Sequence, residues 1–72
     1  MTPLLATSLV RGDHIRSFHI SAKSPVGWEV SENEDHRVVR RRRCSDWHQV
    51  EQALSRATRD IAELREQGWQ DR

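Results

Sequence analysis

The chain has 72 residues, a net charge of +1 and one cysteine. A chain of this length forms one small domain that buries only about 60% of the surface its unfolded form exposes, which leaves little room for a deep catalytic pocket. The single cysteine, Cys44, excludes an intramolecular disulfide and is more typical of the cytoplasm than of secreted proteins. No stretch approaches the ~20 apolar residues of a transmembrane helix, so we expect a cytoplasmic protein without membrane association.

The N-terminal segment, residues 1–13, has no clean hydrophobic period and ends in Gly12-Asp13. It is interpreted as a flexible N-terminal arm or a short extra strand. The remaining residues, 14–72, are predicted to form a single small α+β domain.

Residues 15–23 alternate between apolar and polar side chains, with Phe18, Ile20 and Ala22 on one side. This period of two is typical of a half-buried strand. The sequence Ser-Pro-Val-Gly at 24–27 breaks the strand, because proline lacks a backbone donor and glycine tolerates unusual dihedral angles.

Two further strands are predicted at 28–31 and from residue 38 onward, joined by a hairpin turn. The favoured turn lies at 34–35 and places Glu32 opposite Arg37, Val30 opposite Val39 and Glu29 opposite Arg40. Opposite charges across a ladder contribute roughly 0.2–1 kcal/mol each. The alternative is a three-residue loop at 33–35, which pairs Val30 with Val38 and loses both charge pairs.

The helix is predicted from its cap and its apolar stripe. Asp46 is the expected N-cap with Gln49 at the third helical position, and Ser45 is the competing cap. Gly68 is a natural left-handed stop, and Trp69 after it is expected to fold back onto the last turn. Apolar residues recur at spacings of three and four: Trp47, Val50, Leu54, Ala57, Ile61 and Leu64.

These elements predict an α+β fold in the order β-β-β-α. A three-stranded antiparallel β-meander presents Phe18, Ile20, Trp28 and Val30 to one face of a C-terminal amphipathic helix. Burial of each such side chain stabilises the fold by about 1.5–3 kcal/mol before the loss of chain entropy.

The third strand carries the strongest candidate binding residues. Arginine presents forked donors, and alternate residues of a strand lie about 7 Å apart on one face, close to the spacing of backbone phosphates. The same side chains could instead neutralise the protein's own acids or those of a partner. The candidate residues for phosphate or partner binding are Arg37, Arg40, Arg41, Arg42 and Arg43.

Catalysis, metal binding and cofactors are not expected. Cys44 and His48 have a helical i, i+4 spacing, but zinc needs more ligands and no recognised ligand motif is present. Ser45, Asp46 and His48 are adjacent in the chain, where helix capping explains the serine and the aspartate. There is no glycine-rich phosphate loop.

The expected function is that of a small non-catalytic interaction or regulatory module with an unidentified protein partner. A homodimer is expected because a three-stranded sheet would leave the end of the helix, about 30 Å long, uncovered. Alternatively, the N-terminal arm, with Leu4, Leu5, Leu9 and Val10, covers it. The candidate self-association residues are Ile61, Leu64 and Trp69. The alternative is a nucleic-acid-binding module that uses the arginine-rich strand for phosphate contacts.

Overall fold

A computed structural model describes residues 3–23 and 27–72. The described chain contains five strands and one helix, and the strands form a single antiparallel sheet in the order β4-β3-β2-β1-β5. The predicted break at 24–26 lies outside the described residues. The elements are β1 Leu5–Arg11, β2 His14–Ala22, β3 Trp28–Glu34, β4 Arg37–Cys44, α1 Trp47–Glu66 and β5 Gln70–Asp71.

The broad α+β class, an antiparallel sheet with one C-terminal helix, is confirmed, but the prediction of three strands is wrong. Leu5–Arg11 forms β1 and pairs with β2 along its whole length. Gly12 has a positive φ of 59° and opens the two-residue turn between them, as glycine does at the first position of a type II′ turn. The two residues of β5 then pair with the outer side of β1.

The β3–β4 hairpin has a different register from both predicted alternatives. Its turn residues are Asp35 and His36, which have positive φ values of 51° and 66°. Glu34 therefore faces Arg37, and an irregularity after Glu32 leaves Val39 as an extra, bulged residue. Beyond the bulge, Glu32 faces Arg40 and Val30 faces Arg42.

Both ends of α1 follow the predicted capping chemistry. The backbone N–H of Gln49 donates to Asp46 Oδ1 at 3.0 Å, and Gln49 Oε1 accepts from the backbone N–H of Ser45 at 2.8 Å. At the other end, Gly68 has a φ of 99° and the backbone N–H of Trp69 donates to the carbonyl of Leu64 at 3.0 Å. This is a Schellman ending, and Trp69 packs against the core as predicted.

The helix crosses one face of the sheet obliquely, so the core has two parts. Near the start of α1, Val50 packs with Ile20 of β2 and Cys44 at the end of β4. Farther along, Ile61 and Leu64 pack with Leu9 of β1, which is fully buried. The path leads away from β4, and the helix-facing side of the β3–β4 hairpin is left only partly covered.

Candidate partner-binding surface on strand β4

Strand β4 lies at one edge of the sheet, and among the described strands it pairs with β3 alone. Every residue from Arg37 to Arg43 is exposed, and only Cys44, at 2% exposure, is buried. The structure therefore brings the predicted arginines together on one edge, with their charged groups accessible to solvent. We refer to Arg37 and Arg40 to Arg43 as the β4 arginines.

Few of the β4 arginines have an acidic partner within the chain. Arg41 Nε lies 4.0 Å from Glu29 Oε1, at the limit of an ion pair, and Lys23 lies at the same distance from that carboxylate. Across residues 3–23 and 27–72, no other β4 arginine lies within 4.0 Å of an acidic oxygen. Among the described residues, a close ion pair therefore involves only one β4 arginine. Glu34, Glu32 and Glu29 face Arg37, Arg40 and Arg43 across the ladder without such a pair.

Glu32 explains why Arg40 has no close acidic partner. The two residues face each other across the β3–β4 ladder, but Glu32 Oε1 instead accepts a hydrogen bond of 2.6 Å from Arg16 Nη2. The guanidinium of Arg16 also lies 5.7 Å from the centroid of the Phe18 ring, which holds it toward β2. Arg16 thus pairs with one oxygen of this carboxylate, and Arg40 lies more than 4.0 Å from both oxygens and is exposed.

The β4 arginines are divided between the two faces of the sheet. Cross-strand partners share a face, so Arg40 and Arg42 project on the side of Val30, which packs toward α1. Arg41 and Arg43 project on the opposite side, which no described element covers, and their cross-strand partners there are Ser31 and Glu29.

A charged hydrogen-bond cluster fixes the turn that begins β4. His14 Nδ1 donates to Asp35 Oδ2 at 3.0 Å, and the backbone N–H of Ile15 donates to Asp35 Oδ1 at the same distance. The hydrogen bond to Asp35 and its negative charge raise the pKa of His14 above 6.5. The bond from His14, followed by that from Ile15, lowers the pKa of Asp35 below 3.8.

Trp47 is placed differently from the sequence prediction. It was assigned to the apolar stripe, but it is 49% exposed at the first position of α1. Its ring meets Trp28 edge to face, with centroids 5.8 Å apart. Because α1 begins three residues after Cys44, an accessible aromatic ring lies beyond the end of the basic strand.

The other predicted site residues have structural surroundings. Ile61 and Leu64 are 4% and 6% exposed within this single chain, so neither offers much surface to a second copy, whereas Trp69 is half-buried. Asp46 caps the helix. Among the described residues, no group of three or more histidine, cysteine, aspartate or glutamate side chains is placed to hold a metal ion.

A groove that the sequence did not predict lies between α1 and the β3–β4 hairpin. Its volume is about 60 Å³, and most of its surface is apolar. We call it the α1–β4 groove. The residues that carry the argument below are its apolar members Val30, Ala53 and Ala57 and its exposed arginines Arg40, Arg42 and Arg56. It depends on the oblique path of the helix, which no sequence period encodes.

Comparison with known proteins adds no family assignment. No family model, curated protein or solved structure matches the chain. Within the described residues, α1 is the only helix, and it is not apolar enough to cross a membrane.

Proposed function

We propose that this protein is a non-catalytic cytoplasmic interaction module that binds an anionic partner through the β4 arginines. The observation that supports the proposal is the exposure of Arg37 and Arg40 to Arg43 on an edge strand, where only Arg41 lies within 4.0 Å of an acidic oxygen of the described residues. The neighbouring guanidinium groups repel one another. A partner that supplies negative charge relieves that repulsion and gains forked hydrogen bonds.

Nucleic acid is the second candidate partner, and the exposure of Trp47 favours it. Proteins that bind single-stranded nucleic acid combine a basic surface with accessible aromatic rings on which bases stack. The uncovered face also presents small polar side chains beside Arg41 and Arg43. The uncharged polar residues and the histidine that the pairing register places on this face are Ser8, Ser17, His19, Ser21, Ser31 and Asn33. The same face also carries Glu29 and the apolar residues Ala6, Val10, Ile15 and Val38.

Self-association is proposed as a separate property, with Trp69 as the accessible member of the predicted set. Light scattering across a range of protein concentrations tests it directly. A mass of one chain at every concentration would rule out the homodimer. A dimer that Trp69→Ala dissociates, while the helical circular dichroism is retained, would support it.

The binding proposal is tested with two labelled polyanions, a short glutamate-rich peptide and a mixed-sequence single-stranded DNA oligonucleotide. Fluorescence anisotropy would be recorded at low and moderate salt for the wild type and for a variant with glutamine at Arg40 to Arg43. Arg59→Gln, on the exposed face of α1, is the matched control. We expect the affinity of the wild type for a polyanion to fall as the salt concentration rises. We expect the β4 variant to bind at least about tenfold more weakly than the wild type at the same salt concentration.

The two partner classes separate in the same experiment. Tight binding of the oligonucleotide alone, weakened by Trp47→Ala, would establish the second candidate. Absence of binding to either polyanion at low salt would refute the proposal. Circular dichroism of each variant shows whether a lost affinity reflects a lost fold.

A further inference from the structure

The α1–β4 groove combines an apolar surface with a cationic border. Val30 and Ala53 are half-buried and Ala57 is buried, so the groove offers aliphatic contacts from both the sheet and the helix. Arg40 and Arg42 border it from β4, and Arg56 borders it from α1. An occupant that fits this surface has an apolar centre and negative charge around it.

The size of the groove suits one aliphatic side chain. The space of about 60 Å³ is small and lined mostly by apolar surface, so it suits a single aliphatic side chain better than a larger ligand. Small residues, Ala53 and Ala57, form the helical wall of this space. A larger residue at either position would fill the groove from within.

The charges around the groove favour carboxylates from outside. Arg40, Arg42 and Arg56 each lie more than 4.0 Å from every acidic oxygen of the described residues. The nearest cross-strand acid, Glu32, is hydrogen-bonded to Arg16. A carboxylate that accepts two hydrogen bonds from one guanidinium group forms the strongest kind of pair with arginine. The exposed guanidinium groups of these three arginines are accessible to such a carboxylate on a partner.

The same surroundings favour a peptide over nucleic acid at this position. Phe18 lines the groove but is 4% exposed, so it offers no ring face for base stacking. His19 also lines the groove, but the pairing register places its side chain on the opposite face of the sheet. Glu32 and Asp60 also line the groove. A backbone with one charge per nucleotide would meet these acids, whereas a peptide can place its carboxylates only against the arginines.

We propose that the α1–β4 groove is the docking site for an acidic segment of a partner protein. One aliphatic side chain of that segment enters the groove between Val30 and Ala53, and flanking carboxylates pair with Arg40, Arg42 and Arg56. The inference rests on the proposed function, because two of the β4 arginines contribute to both. It goes further in specifying the partner as protein and in assigning the binding to one face of the sheet.

The test uses two synthetic peptides that differ at one position. Both carry glutamates on each side of a central residue, which is leucine in one peptide and serine in the other. Affinities for the full chain are measured by fluorescence anisotropy, with the single-stranded DNA oligonucleotide as a third probe. We expect the leucine peptide to bind about tenfold or more tightly than the serine peptide, because only leucine buries apolar surface.

Two matched pairs of protein variants locate the binding. Arg40→Gln with Arg42→Gln removes charges beside the groove, whereas Arg41→Gln with Arg43→Gln removes as much charge from the opposite face. We expect the first pair to lower the affinity for the leucine peptide about tenfold and the second pair to lower it less than about threefold. Ala53→Leu fills the groove and should abolish the preference for leucine over serine, while Ser55→Leu, exposed on the same helix, should preserve it.

The outcomes distinguish this inference from the proposed function. Equal affinity for the two peptides, or equal losses in the two arginine variants, would overturn the groove site and leave an anionic partner supported. Binding of the oligonucleotide alone would overturn it in favour of nucleic acid. Failure of all three probes would refute both. The arginine variants change only exposed side chains, so the test stands even if Ala53→Leu fails to fold.

Discussion

Replacement of Leu9 by alanine measures how much of the fold depends on β1. Leu9 is fully buried and packs in one cluster with Phe18, Ile61 and Leu64. Leu9→Ala removes its contacts from both the sheet and the helix, and leucine-to-alanine changes at enclosed sites cost about 2–5 kcal/mol. Leu4→Ala is the matched control, because Leu4 is 45% exposed in the same N-terminal segment.

The expected loss is large relative to the stability of so small a domain. At about 0.05–0.15 kcal/mol per residue, this chain has a free energy of unfolding on the order of 4–11 kcal/mol. A loss of about 3 kcal/mol would lower Tm by roughly 12–24 °C, since each kcal/mol shifts a domain of this size by about 4–8 °C. Leu4→Ala should change the free energy of unfolding by no more than about 0.5 kcal/mol.

Urea titrations monitored by tryptophan fluorescence and far-ultraviolet circular dichroism give the free energy of unfolding of each variant. The comparison with Leu4→Ala removes effects of the N-terminal segment on the unfolded chain. If Leu9→Ala costs no more than Leu4→Ala, β1 is not part of the core in solution, and the packing of the second half of α1 on Leu9 would be wrong.

Two further predictions concern the helix cap and the hydrogen-bonded pair His14–Asp35 at the β3–β4 turn. Asp46→Ala should lower the free energy of unfolding by about 0.5–2 kcal/mol in urea titrations, because it removes the acceptor of the Gln49 backbone N–H. Ser45→Ala should cost less, since Ser45 contributes mainly its backbone N–H. Asp35→Asn should bring the pKa of His14, followed by NMR, down toward 6.5, and an unchanged titration would contradict the pairing. In the wild type, the raised pKa of His14 stabilises the fold below about pH 6.5, and this stabilisation is lost as pH rises through the raised pKa. The lowered pKa of Asp35 stabilises the fold above about pH 3.8, and that stabilisation is lost as pH falls through the lowered pKa.

The helix could be predicted closely because its signals are local. The N-cap, the Schellman ending and most of the apolar stripe each depend on residues within one or two turns of one another, and Asp46, Gly68 and Trp69 behave as expected. Trp47 differs from the pattern: it lies at the first position of α1, is 49% exposed and contacts the ring of Trp28 in β3. Only the tertiary arrangement determines how much of the apolar stripe the sheet buries.

The sheet was harder to predict because its determinants are distant in sequence. β1 has Leu5 and Leu9 on the helix side and Val10 on the other, so no clean alternation marks it. The hairpin register depends on Asp35, whose left-handed backbone is fixed by hydrogen bonds to His14 and Ile15 about twenty positions earlier. Such long-range bonds, and the bulge at Val39, have no local signature.

The candidate binding surface was predictable in its residues but not in its geometry. The β4 arginines stand out in the chain, but the sequence leaves open whether they face solvent or pair with the protein's own acids. Their distribution over two faces, the occupation of Glu32 by Arg16 and the groove beside α1 all depend on the observed register. Each of these was needed to specify a partner.

The bulge and charges of β4 also affect how readily the edge strands of two copies of this chain could pair with each other. An open sheet exposes unpaired backbone groups along its outermost strand, which can template the growth of intermolecular sheets. Two β4 strands side by side would place arginine against arginine, and Val39 interrupts a regular ladder between them. Polyanions that mask these charges remove part of that barrier, so concentrated samples should be most prone to fibril formation when the arginines are neutralised without a specific partner.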